Sequence, residues 1–267
     1  MGDAPIGIFD SGYGGLTVAR AVLDQLPHES LIYFGDTART PYGPRPISQV
    51  REFALECLDH LVDRGVKALV IACNTASAAM LHDARERYDV PVVEVIRPAV
   101  RRAAAATRSN RVGVISTLWT HNSRAYPDTF APAPHIAVTS QPCPRFVEFV
   151  ESGVTGGEEL LAVAREYLAP LQEAEVDTLI LGCTHYPLLK RTISKVTKGM
   201  VTLIDSGEAA AATVAAMLDE QGLRNTSTAS PNIQFYVSDA PEKFTAVGEL
   251  FLGRKLGVVR KVTVGRH

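Results

Sequence analysis

Long hydrophobic runs are missing from this sequence. The longest nearly apolar stretch, AAAATVAAML at 209–218, is ten residues bounded by Glu208 and Asp219, and a membrane-spanning helix needs about 20. An excess of one charge is missing too. The 27 basic and 29 acidic residues leave a net charge of −2, so no global attraction for nucleic acid or an anionic membrane is expected. No C-x-x-C pair exists, because the gaps between Cys57, Cys73, Cys143 and Cys183 are 16, 70 and 40 residues. Reduced, cytoplasmic thiols are the expectation. The opening MGDAPIGIFD carries an acid and no basic region, so no secretory signal is expected. With 46% hydrophobic and 21% charged residues, the composition is that of a folded globule.

The 267 residues exceed a usual domain of about 100–150. Short apolar, β-branched runs alternate with amphipathic stretches. The runs are 5–9, 31–34, 68–72, 92–96, 111–116, 135–139, 178–182, 201–204 and 233–237. Helical patterns include 48–65, where Phe53, Leu55, Leu58, Leu61 and Val62 recur near the helical period, and 157–174. This rhythm predicts an α/β fold with mainly parallel sheet flanked by helices. The chain also repeats itself. VKALVIACNTA (66–76) aligns with VDTLILGCTHY (176–186), matching Cys73 to Cys183, and IGIFDS (6–11) aligns with VGVIST (112–117). Duplication predicts two similar domains related by a pseudo-twofold, with the active site between them. Residues 1–98 with 207–267 would form the first, and 99–206 the second.

Ligands of parallel α/β sheets bind at the carboxyl ends of the strands. Those ends carry Asp10-Ser11-Gly12, Gly35-Asp36, Cys73-Asn74-Thr75, Ser116-Thr117 and Cys183-Thr184-His185. The strand–glycine–helix segment IGIFDSGYGGLT, with Asp36 22 residues beyond Gly14, imitates a dinucleotide fingerprint. It lacks the third small residue, since Thr17 stands there, and Asp10 would face a pyrophosphate. Cys57 and Cys143 read as packing residues. Cys73 and Cys183 differ, lying at strand-to-helix junctions of repeated units, where a helix N-terminus favours thiolate. Two thiols facing one cleft suit inversion at a carbon, one removing a proton and the other supplying one. Asp10 could serve Cys73, with capping of the first helix as its competing role. His185 could serve Cys183. Cys-x-His is too short to indicate zinc, so no metal is expected. Glu151 reads from its own context as a solvated helix-end acid.

Taken jointly, FDSGYGGLTV (9–18), YFGDTARTPYG (33–43), ACNTAS (72–77), PCPRFVEFVESG (142–153), LGCTHYPLL (181–189) and LIDSG (203–207) resemble the glutamate racemases. These are a cofactor-independent family of the aspartate/glutamate racemase superfamily. The resemblance spans nearly the whole chain. It implies interconversion of L- and D-glutamate without a cofactor, supplying D-glutamate for peptidoglycan. It implies that Cys73 acts on the D-isomer and Cys183 on the L-isomer, with Asp10, His185 and Glu151 assisting. It implies substrate contacts at Asp10, Ser11, Tyr42, Gly43, Asn74, Thr75, Thr184 and His185, and a homodimer. Some members also act on DNA gyrase, and the near-neutral charge decides neither way. The chain departs from the family at Arg97-Pro98-Ala99, where Glu-Pro-Gly is often found, at the expected crossover between domains.

Three alternatives stand beside this expectation. One is an aspartate racemase or another amino-acid racemase, against which His185 weighs because aspartate racemases commonly carry glutamate there. Another is a nucleotide-binding oxidoreductase built on the glycine loop. The last is a dicarboxylate-binding protein whose two thiols only pack. The basic tail, Arg254-Lys255 through Arg260-Lys261 to Arg266, reads as a solvated edge.

Overall fold

The computed structural model describes residues 2–265. The first half runs β1 (Ile6–Asp10), α1 (Leu16–Gln25), β2 (Leu31–Gly35), α2 (Ile47–Val62), β3 (Ala68–Ile71), α3 (Asn74–Arg87), β4 (Val92–Glu94) and α4 (Ile96–Ala106). Next come β5 (Arg111–Ser116), α5 (Leu118–Asn122), α6 (Ala125–Phe130), β6 (Ala137–Pro142), α7 (Arg145–Glu151), α8 (Glu158–Glu173) and β7 (Thr178–Gly182). A 3₁₀ turn (Tyr186–Leu189) leads into α9 (Lys190–Val196), β8 (Thr202–Asp205), α10 (Ser206–Glu220), β9 (Ile233–Val237), α11 (Pro241–Leu252) and β10 (Val259–Lys261).

All pairings are parallel, in two sheets of order β10-β9-β2-β1-β3-β4 and β6-β5-β7-β8. The central strands β1, β2, β3 and β7 are buried along their whole length. That is why they read as continuous apolar runs rather than alternating ones. The order 2-1-3-4 of the first four strands recurs as 6-5-7-8, so the repeat seen in sequence is a repeat of topology. Strand order reverses between β1 and β3, and again between β5 and β7. Such a switch point opens a crevice at the strand ends, and Cys73 and Cys183 follow β3 and β7 there.

Helix α2 buries Val50, Ala54, Cys57, Leu58 and Leu61, a stripe at helical spacing. Each fully buried leucine contributes about 1.5–3 kcal/mol. Phe53, Leu55 and Val62 flank that stripe and are half-buried. The alanine-rich run at 209–218 becomes α10, packed against α1 and α4. The Asp205 carboxylate caps α10, accepting from the N–H groups of Gly207 (2.8 Å) and Glu208 (3.2 Å).

Several expected strand limits move. Val95 and Ile96 leave the strand, because both Glu94 oxygens accept backbone N–H groups, from Ile96 (2.5 Å) and Arg97 (3.0 Å), and so start α4. This is also where Arg97-Pro98-Ala99 lies, with Pro98 and Ala99 on the buried face of the helix. The strand expected at 135–139 lies at Ala137–Pro142. It is an edge strand, so its half-exposed polar residues give little apolar signal. The tail after α10 contributes β9, beside β2, and β10, beside β9. Strand β10 was not expected. Its residues Val259-Arg260-Lys261 put charge on a sheet edge, where it discourages further pairing. Arg266 lies outside the described residues. Among the described residues no helix is long and apolar enough to cross a membrane.

Candidate active site

A cavity of about 450 Å³ opens where the two switch points face each other. Ser11, Tyr42, Gly43, Cys73, Asn74 and Thr75 line it from the first sheet's side. Glu151, Cys183, Thr184 and His185 line it from the other. Every expected site residue except Asp10 therefore touches this one space. Thr40, Pro41, Thr117, Leu118, Pro144, Val147 and Glu148 also line it and were not among the expected site residues. Glu148 had a signal, lying one helical turn before Glu151 on α7. Thr117 had another, following β5 as Ser11 follows β1.

The two thiols are held differently. Cys73 is the N-cap of α3; its Sγ accepts from the Ala76 N–H at 3.5 Å and donates to Ser11 Oγ at 3.6 Å. Burial nevertheless pushes this thiol up to about 12, with the Asp10 charge adding to the rise and the Ala76 N–H opposing it. The helix terminus was expected to favour thiolate. At this buried position desolvation outweighs it. Cys183 departs from expectation in another way, since the turn after it is a short 3₁₀ segment beginning at Tyr186, not an α-helix. Its partner is a side chain instead: Cys183 Sγ lies 3.7 Å from His185 Nδ1.

His185 joins this thiol to Glu151, whose Oε1 lies 3.0 Å from Nε2. Burial pushes the imidazole pKa down, but the bonds to Cys183 and Glu151 prevail and raise it to about 10. The edge of the ring rests on Phe251, with centroids 5.2 Å apart. Glu151 is 41% exposed, so its solvated helix-end position is as expected, yet its carboxylate turns inward.

Asp10 sits beneath the glycine loop and does not line the cavity. Its Oδ2 accepts the Gly12 N–H at 3.0 Å. Oδ1 is buried without a partner. Burial raises its pKa, moderated by the Gly15 amide and by the charge of His185. Asp10 thus bonds the loop before α1, the competing role, while its charge acts on both Cys73 and His185.

The glycine loop packs on the opposite half instead of forming an open phosphate cradle. Thr17 Oγ1 donates to the carbonyls of Gly14 and Thr184, both at 2.9 Å. Asp36, which imitated a ribose-binding acid, is fully buried and accepts from Tyr42 Oη (2.5 Å), Ser238 Oγ (2.7 Å) and Arg39 Nε (2.7 Å). The Tyr42 hydroxyl is therefore engaged away from the cavity. Tyr42 and Gly43 both line the cavity, and Gly43 has only backbone to offer it.

The remaining polar groups form two sets. Thr75 Oγ1 lies 3.5 Å from Thr117 Oγ1 and 3.3 Å from Thr120 Oγ1, a hydroxyl cluster joining the two halves. Asn74 accepts the Tyr126 hydroxyl on its Oδ1 at 2.6 Å, while its Nδ2 is buried with no partner. Among the described residues no lysine or arginine lines the cavity. A carboxylate ligand would thus be held by amide, hydroxyl and backbone donors. Among the described residues no three His, Cys, Asp or Glu side chains are grouped to hold a metal ion. Cys57 and Cys143 are buried away from the cavity, as packing residues.

A profile of the Asp/Glu/Hydantoin racemase family matches residues 16–214. The chain belongs to this family. It is 61% identical over 265 residues to a glutamate racemase of Beutenbergia cavernae, covering 95% of this chain and 91% of that one. It also matches the crystal structure of a Francisella tularensis glutamate racemase in complex with D-glutamate, with a TM-score of 0.91, 40% identity and 98% of both chains covered. An Escherichia coli glutamate racemase, solved with L-glutamate and the activator UDP-MurNAc-ala, matches with a TM-score of 0.81 and 27% identity, over 98% of this chain and 100% of that one. The two-sheet α/β fold of this chain is the fold of these racemases.

Proposed function

We propose that the chain is a glutamate racemase that inverts Cα by proton transfer between two thiols. One observation carries the reading: Cys73 and Cys183, at equivalent strand ends of the repeat, line the same cavity. In the D-to-L direction, Cys73 as thiolate takes the Cα proton, and the Cys183 thiol delivers a proton to the opposite face. The roles reverse in the other direction. Asp10 accepts the Cys73 proton when substrate engages, and its raised pKa makes it a better base than an exposed carboxylate. His185, kept protonated beside Glu151, works the other way round for Cys183, donating from Nδ1 to its sulfur and so supporting the negative charge that sulfur carries as a base. Negative charge developing on the substrate's α-carboxylate is met by Asn74 Nδ2, by the hydroxyls of Ser11, Thr75 and Thr184, and by the backbone N–H groups of Tyr42 and Gly43.

The same reading assigns 1–98 with 207–267 to one structural unit and 99–206 to a second, with the substrate between them. It also carries a cytoplasmic location, a homodimer and the supply of D-glutamate for peptidoglycan. The test is incubation of the purified chain with L-glutamate and, separately, L-aspartate, followed by chiral analysis. Racemic glutamate is expected, and Cys73→Ala and Cys183→Ala should each abolish it while folding normally. Faster turnover of aspartate, or full activity in either variant, overturns the reading.

A further inference from the structure

One side chain touches the base of both halves of the site. Tyr126, on α6, is 1% exposed. Its hydroxyl donates to Asn74 Oδ1 at 2.6 Å, and among the described residues it has no other hydrogen-bond partner. Asn74 is the residue after Cys73. The Tyr126 ring lies against Gly182, the residue before Cys183. A Cβ built on Gly182 would stand 3.0 Å from Tyr126 Cε2 and 2.8 Å from the Ile115 carbonyl oxygen. Glycine at 182 is thus what lets the ring reach under the second thiol.

The bond has a direction that matters. A side-chain amide offers an acceptor oxygen on one side and two donors on the other. Burial holds the Tyr126 hydroxyl far above its usual pKa, so it keeps its proton to donate. Once that proton occupies Oδ1, the Asn74 amide cannot turn its oxygen toward the cavity. Its Nδ2, buried and unpartnered, is left as the free donor of a residue that lines the cavity.

We propose that Tyr126 is a positioning residue that locks the Asn74 amide with its donor toward the substrate carboxylate, while seating that lock on the strand end that carries Cys183. The inference rests on the racemase reading. Without the lock the amide can present its oxygen, which repels a carboxylate and leaves a buried acceptor unpaired. Substrate binding should therefore suffer more than proton transfer.

Tyr126→Phe keeps the ring on Gly182 and removes only the oxygen. Its KM for both glutamate enantiomers should rise about tenfold, with kcat changed less than twofold. In an Asn74→Ala background the same substitution should leave KM unchanged, because the lock has nothing to hold. An unchanged KM in the single variant, a loss confined to kcat, or an equal rise in KM in both backgrounds overturns the inference. A second measurement needs neither turnover nor a variant: in the wild-type, ligand-free protein the Tyr126 hydroxyl proton should exchange slowly and show an Overhauser contact to the Asn74 side-chain amide. Its absence also overturns the inference. Wild-type protein inert toward glutamate, yet showing that contact, would defeat the racemase reading and leave the lock standing.

Discussion

Gly14 lies so close to His185 that a Cβ built on residue 14 would stand 2.6 Å from the imidazole Nδ1. The loop after β1 thus closes directly on the histidine that partners Cys183 in the other half. Gly14→Ala should push His185 off the Cys183–Glu151 line. A displacement of about 1 Å at a reacting group can cost about a hundredfold in rate, so kcat should fall by one to two orders of magnitude. A chiral assay alongside a thermal melt checks this. Wild-type kcat in a folded Gly14→Ala protein would remove the steric argument.

The pairing of His185 with Glu151 sets a pH dependence. The folded-state pKa of His185 is raised to about 10, above the ordinary value of about 6.5. The stabilisation from its protonated form is therefore complete below pH ~6.5 and is lost as pH rises through the folded-state value. Glu151→Gln removes one of the raising partners, so the imidazole should titrate at lower pH, and the stabilisation should be smaller and used up at lower pH. Proton NMR of the His185 Cε1–H gives the midpoint directly. A midpoint the same as in the wild type would contradict the pairing.

A buried ion pair ties the tail to the first sheet. Lys67 Nζ donates to Glu29 Oε2 (2.5 Å) and to the carbonyls of Gly2 (2.5 Å) and Leu223 (2.8 Å). Glu29 Oε1 accepts the Asn225 N–H at 2.9 Å. Both side chains are at most 3% exposed. Lys67→Met strands a buried carboxylate and should cost about 3–5 kcal/mol, read as a fall in Tm. The double variant Lys67→Met/Glu29→Leu should recover part of that loss. A single variant as stable as the wild type would show that Glu29 finds water or another partner.

Much of this site was legible before any coordinates. Cys73 and Cys183 stood out because each ended a buried, β-branched run in a repeated unit, and burial on both faces makes such runs readable. The edge strands β6 and β10 were not readable in the same way. Their residues meet solvent, so Ser140, Gln141, Arg260 and Lys261 interrupt the apolar signal. The expectation for the Cys73 thiol went the wrong way because local sequence reveals a helix terminus but not desolvation. Tyr126 had no signal at all. It lies on a six-residue helix, and its importance comes from touching Asn74, 52 residues earlier, and Gly182. Neither relation has a sequence period.

The most direct test of the two-thiol account follows hydrogen at Cα. Wild-type protein is incubated with protiated L-glutamate in heavy water, and both enantiomers are isolated at low conversion. Two separate acid–base groups predict D-glutamate carrying deuterium at Cα, because the thiol that supplies its proton has equilibrated with solvent. The remaining L-glutamate should be almost unlabelled, because the other thiol returns the proton it removed. D-glutamate that keeps the original protium, or equal label in both enantiomers from the earliest times, would mean that one group serves both faces, and the account would be wrong.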